Sequence, residues 1–263
     1  MIRVFRAEWR KLRRPTLFYG TLASVMGVTA LVTSLLFLLI DSVNGNAREG
    51  TVINRETLAM ANGLSIGFSS SAGLLGLVAL CVFASQTAQE YTFGTLRNLL
   101  IRQPKRLTLL AGKFISMALF ALISVIVSAA VSIGLAFGLA GRAKVLTTSW
   151  TTADARTALI HTFINVLISV IAFGTVGMIL GLILRSPISA ISIGVAWLLI
   201  IENIIAAVVK HSAQWMPGQL MTSIASGGDF NATYSHAIIV LSAYLALGIL
   251  IVSVLFRRRD VSN

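Results

Sequence analysis

Six stretches of roughly 20 or more apolar residues recur along the chain, at about 17–40, 63–84, 114–140, 159–184, 188–209 and 237–256. A helix rising 1.5 Å per residue crosses about 30 Å of hydrocarbon with such a run, so each is predicted to be a membrane-spanning helix. Ahead of the first, the pattern changes. Ile2, Phe5, Trp9 and Leu12 follow steps of three and four, and Arg3, Arg6, Arg10 and Arg13 follow the same steps displaced by one. That spacing predicts a helix over 1–15 with an apolar stripe beside a basic stripe, lying flat in the interface with its arginines toward anionic headgroups. A plain basic cap on the first span is the alternative. Pro15 ends this helix. The first span is longer than the roughly 7–15 apolar residues of a signal-peptide core, so it is read as a retained anchor.

Two of the connecting segments are patterned as well. Over 86–106, Thr87 and Glu90 have the spacing of a capping box, which predicts a helix start near 86–90. Gly94 and Thr95 allow a bend and a fresh start. Leu96, Leu99 and Leu100 then form an apolar edge at helical spacing, with Arg97 on another face, and Pro104 limits the helix to about Arg102. So short a helix is marginal alone in water and needs a surface: the interfacial membrane, the base of its own bundle, or a partner protein. Over 210–236, Trp215 and Tyr234 suit an interfacial aromatic belt, Pro217 and Gly227-Gly228 break the segment, and Leu220, Met221 and Ile224 suggest a shallow re-entrant helix, with a simple surface loop as the alternative. The expected fold is one all-α membrane domain over 1–263.

Composition agrees: 56% of the residues are hydrophobic and 11% charged, where a soluble domain is nearer a quarter charged. With six spans both termini share a side. Fifteen Lys and Arg fall on that side and six on the other, which predicts cytoplasmic termini. The net charge of +12 is then a topology signal, and no nucleic-acid partner is expected. Cys81 is the single cysteine, so no intrachain disulfide forms. Usage rich in alanine, glycine and arginine points to a bacterial cytoplasmic (inner) membrane.

Glu90, Gly94-Thr95, Leu99-Leu100, Pro104, Arg106 and Lys113 follow the pattern E-x3-G-T-x3-L-L-x3-P-x-R-x6-K. In this the chain resembles the type 2 ABC permeases, the membrane subunits of ATP-driven exporters, which carry the pattern between their second and third spans. The six-span layout, the opening Glu8-Trp-Arg-Lys-Leu12, and Trp215-Met-Pro217-Gly218 in the last external loop are also similar. The resemblance implies that 86–106 is a coupling segment. Glu90, Gly94, Thr95, Leu96, Arg97, Leu99, Leu100 and Arg106 would then dock a separate ABC-type ATPase. It also implies that Trp215 and Pro217 belong to the outer gate, and that a second permease copy or a sister permease completes the transporter. This chain is expected to bind no cofactor and catalyse nothing, with ATP and magnesium on the partner. The only Gly-Lys pair, Gly112-Lys113, is followed by Phe114, so no phosphate-binding loop is present.

Other candidate chemistry is sparse. Glu202, beside Asn203, lies inside the fifth span, where a lipid-facing carboxylate costs roughly 3 kcal/mol. Glu202 and Asn203 are candidates to line a substrate path; Glu202 could instead relay protons, or sit near the outer end held by Asn203 or by an external base. His161, His211 and His236 lack metal-ligand spacing. The paired glycines 63/67, 134/138 and 177/181 allow close helix approach. The main functional expectation is an ABC exporter permease for a hydrophobic or amphipathic cargo, such as a drug, a peptide antibiotic or a lipid. The alternatives are a stand-alone secondary transporter coupled to an ion through Glu202, and a non-transport membrane scaffold.

Overall fold

The apolar stretches fold as helices longer than a bilayer requires. A computed structural model describes residues 2–40, 54–102, 105–230 and 232–258. Among these, helix α1 (Ile2–Leu12) leads into α2 (Pro15–Leu38), then the short α3 (Arg55–Ala59), α4 (Gly63–Thr92), α5 (Thr95–Arg102) and α6 (Arg106–Ala140). There follow α7 (Ala153–Leu184), α8 (Pro187–Ala196), α9 (Glu202–Val208), α10 (Pro217–Ser226) and α11 (Tyr234–Arg258). A π-helical turn, Trp197–Ile201, fuses α8 and α9 into one rod. Six units are long and apolar enough to cross a membrane: α2, α4, α6, α7, the α8–α9 rod and α11. The chain is a multi-pass membrane protein.

Their ends alternate between two faces. On one, the terminus face, α1 packs beside the end of α4 and the start of α6, and Arg106 of α6 reaches the Phe256 carbonyl near the end of α11. Arg185, at the end of α7, stacks on Tyr91 at the end of α4, 5.5 Å from its ring centroid. On the opposite face, the Trp150 indole donates to the Leu58 carbonyl at 2.8 Å and meets the rings of Phe37 and Phe137 edge-on. There Tyr234 also donates to Asn165 at 2.8 Å, tying the start of α11 to α7.

Helices α4 and α7 form the central pair. A Cβ on Gly177 would strike the Leu80 carbonyl of α4, and Gly76 and Gly174 receive the rings of Phe173 and Phe83. Such small residues let two backbones meet where no hydrophobic force separates helix from lipid. Alongside, α2 is fastened to α6 by two buried hydroxyl pairs, Thr29–Ser128 at 2.8 Å and Thr33–Ser132 at 3.1 Å. By contrast, Gly134 and Gly138 face open space.

The capping-box expectation is corrected. α4 runs without interruption through Thr87 and Glu90 to Thr92, because the Glu90 carboxylate turns to lysines on other helices rather than back to the Thr87 amide. The break comes later, at Gly94, whose φ of +64° favours glycine.

Candidate functional site

On the terminus face, α1 presents Val4, Glu8 and Leu12 to the bundle, one residue per turn. The face expected to be apolar is thus rotated: Phe5 and Trp9 are only half-buried, and Arg6, Arg10 and Arg13 are exposed. Glu8 enters the core because two lysines wait there. Lys113, the second turn of α6, places its ammonium 2.7 Å from Glu8 Oε2 and 2.7 Å from Glu90 Oε1, and donates to the Gln86 carbonyl at 3.2 Å. Lys11 closes the ring, 2.7 Å from Glu8 Oε1 and 2.7 Å from Glu90 Oε1. Lys113 is 1% exposed. Two acids and two bases leave the cluster neutral, which is what allows it to be buried.

Burial alone would push the Glu8 carboxyl up, but the Lys113 charge and then Lys11 together hold it below its ordinary value. For Lys11, burial pulls the ammonium down, and Glu90 with Glu8 more than reverses this and raises it. Both groups are locked in their charged forms. The cluster joins α1, α4 and α6 across both ends of α5.

Between these anchors, Leu96 of α5 is buried in the main core and Leu99 packs partly against it. Leu96 and Leu99 are therefore turned onto their own bundle rather than outward. Among the described residues here, the apolar side chains of Phe93 and Ile101 are left exposed, each 73%. Thr95 is exposed, and Gly94 has open space around it. Arg106 is half-buried, and its Nη1 donates to the Phe256 carbonyl at 2.7 Å. The side chains of Arg97 and Leu100, and all of Pro104, lie outside the described residues.

On the opposite face, the π-helical turn keeps Leu198 and Glu202 pointing inward while Leu199, Ile200, Ile201 and Ile204 stay exposed. Glu202 is fully buried against the start of α10. Its carboxylate accepts from the Gly218 amide at 2.8 and 3.1 Å and from the Gln219 amide at 3.2 Å. An anion there meets the free amides and the positive end of the helix dipole. Pro217 is the first residue of α10, and Leu220, Met221 and Ile224 bury its inner side. Trp215 is half exposed and lies edge-on to His236, whose Nε2 is 3.0 Å from the Gln214 carbonyl.

Next to this clasp lies a cavity of about 400 Å³ between α4, the α8–α9 rod and α10. Ser69, Ser70, Asn203, Gln219, Thr222 and Asp229 supply its polar lining, over a floor that includes Leu77, Phe173 and Leu198. Asn203 lines it and Glu202 does not. Among the described residues no group of three His, Cys, Asp or Glu is placed to hold a metal.

Sequence reasoning brought Glu90 and Lys113 into view as the two ends of one motif, and Glu8 and Lys11 as parts of another, and the structure brings the four together. The available signal was a lone lysine inside an apolar helix: Lys113 needs an acid of its own. The polar cavity had a weaker signal, because serines and threonines in a span usually bond back to their own helix. No curated protein matches the chain. The family described as "Protein of unknown function (DUF2705)" matches residues 52–262, which leaves α1 and α2 outside the match. Since that match takes in 211 of the 263 residues, the chain is a member of this family.

Proposed function

We propose that the chain is the membrane permease of an ATP-driven exporter, a type 2 ABC permease whose ATPase is a separate subunit. One observation carries this reading. The buried ring of Glu8, Lys11, Glu90 and Lys113 fastens the short helix α5 between two spans, while Phe93 and Ile101 are left uncovered beside it. A short helix held rigidly at both ends transmits a push from a soluble partner to the spans, and two exposed apolar side chains give that partner something to grip. In this reading Glu90 acts from within, holding α5 in place, and the contact itself is made by Phe93 and Ile101.

The termini then lie in the cytoplasm of a bacterium, as the lysine and arginine distribution favours. The exposed Arg6, Arg10 and Arg13 of α1 face anionic lipid. A second copy or a sister permease completes the translocation path, and the polar cavity beside Asn203 is the candidate cargo station. Its mixed lining suits an amphipathic molecule. A lone ion-coupled transporter is less well supported, because both Glu202 oxygens are occupied by the amides of α10.

The test is a mild-detergent purification from native membranes, with bound proteins identified by mass spectrometry. The expected result is a stoichiometric ATPase carrying a phosphate-binding loop, lost from a Phe93→Ala/Ile101→Ala double variant that still inserts and purifies normally. A wild-type chain that yields no such ATPase, with or without crosslinker, overturns the proposal.

A further inference from the structure

We infer that the groove between α6, α7 and α11 on the terminus face is a binding site for one anionic phospholipid. It does not depend on the proposal above: it needs only that the six helices sit in a bilayer.

The groove encloses about 260 Å³. Met178 and Leu182 of α7 and Val252 of α11 are buried at its base, and Leu107 and Phe114 of α6 and Ile249 of α11 form its walls. The hydroxyl of Thr175, which also lines it, is turned back onto the Ile171 carbonyl at 2.7 Å, so the surface offered is apolar. From Leu107 to Phe114 is seven residues, or roughly 10 Å along the helix. That is about two thirds of one leaflet's hydrocarbon depth, the reach of a single acyl chain.

Charge identifies the headgroup. At the terminus-face end, the exposed Lys105 immediately precedes α6, and Arg106, the first residue of α6, spans with its guanidinium to the Phe256 carbonyl and so joins α6 to α11 where the groove meets the interface. The sequence of α11 ends there in Arg257 and Arg258. Neither α6 nor α11 contains an acid. An acyl chain lying in the groove carries its phosphate to this basic end. A zwitterionic lipid brings a compensating cation with it, and an anionic one does not. A slot that fits one chain beside the positive charges of Lys105 and Arg106 therefore selects a phosphatidylglycerol-like lipid over phosphatidylcholine.

The experiment uses the purified full chain in nanodiscs carrying a trace of phosphatidylglycerol with a photoreactive diazirine midway along one chain. Adducts are mapped by mass spectrometry. The expected pattern concentrates adducts on Phe114, Met178 and Ile249. Unlabelled phosphatidylglycerol competes and phosphatidylcholine competes far less. Lys105→Gln lowers labelling roughly fivefold, the share of one basic residue at an anionic surface. Ala111→Trp, which fills the groove, abolishes the concentrated labelling without altering adducts elsewhere. Adducts spread evenly over all lipid-facing helices, or equal competition by phosphatidylcholine, overturn the assignment. Both readouts come from the wild-type chain, so they decide the matter even if the tryptophan variant does not fold.

Discussion

Replacing Lys113 by methionine keeps an unbranched side chain one heavy atom shorter and removes its charge. Lys113 is 1% exposed, and its ammonium lies 2.7 Å from each of two carboxylates. Without it, Glu8 and Glu90 share only Lys11, and the buried cluster carries an uncompensated negative charge. Breaking a buried ion pair from one side costs about 3–5 kcal/mol, since the remaining charge stays desolvated. A loss of that size lowers the unfolding midpoint by on the order of 10 °C in a chain of this length. Lys11 touches the same two acids, but its side chain is 31% exposed. Water screens it, and Lys11→Met is expected to cost only about 1 kcal/mol. A Glu8→Gln/Lys113→Met double variant restores neutrality and loses less than the two single changes added together. The assay is thermal unfolding of the purified variants in one mild detergent at pH 7, followed by intrinsic tryptophan fluorescence. An unchanged midpoint for Lys113→Met, or a larger drop for Lys11→Met, refutes the view that this ring is a buried structural lock.

The same ring sets a pH window. Glu8 is held below its ordinary 4.5, so its contribution is complete above that value and disappears as pH falls through the lower folded one. Lys11 is held above its ordinary 10.5, so its contribution is complete below that value and disappears as pH rises through the higher folded one. The contribution of this ring should therefore be constant between these limits, and Glu8→Gln should weaken the acid limb. Glu202→Ala strips the Gly218 and Gln219 amides of their acceptor, at roughly 1–3 kcal/mol. Hydrogen exchange should rise over α10 alone, and a rise spread over the whole bundle would count against the clasp. Gly177→Ala forces α4 and α7 apart at the Leu80 carbonyl and should abolish stable expression. Gly134→Ala meets nothing within 4 Å and should be neutral or stabilising by up to about 1 kcal/mol, read from the same unfolding curves.

The sequence by itself determined the number and place of the spanning helices. An apolar run of about 20 residues has one low-energy solution in hydrocarbon, a helix that satisfies its own backbone, so local composition is enough. It also located the turn at Pro15 and the apolar inner side of α10 at Leu220, Met221 and Ile224, because proline geometry and helical spacing are local properties. Only the tertiary structure decided what the sparse polar residues do. Three glycine pairs look alike in sequence. In the fold, Gly177 is a contact between backbones, whereas Gly134 and Gly138 face open space. Glu90 has the spacing of a helix cap and is instead an ion-pair partner of Lys11, 79 positions away. Lys113 meets Glu8 across 105 positions, and Glu202 meets the amide of Gly218 across 16. Such pairings leave no periodic trace along the chain. They arise because a buried charge must find its opposite, or a helix end, wherever the packing of apolar helices happens to bring one within reach.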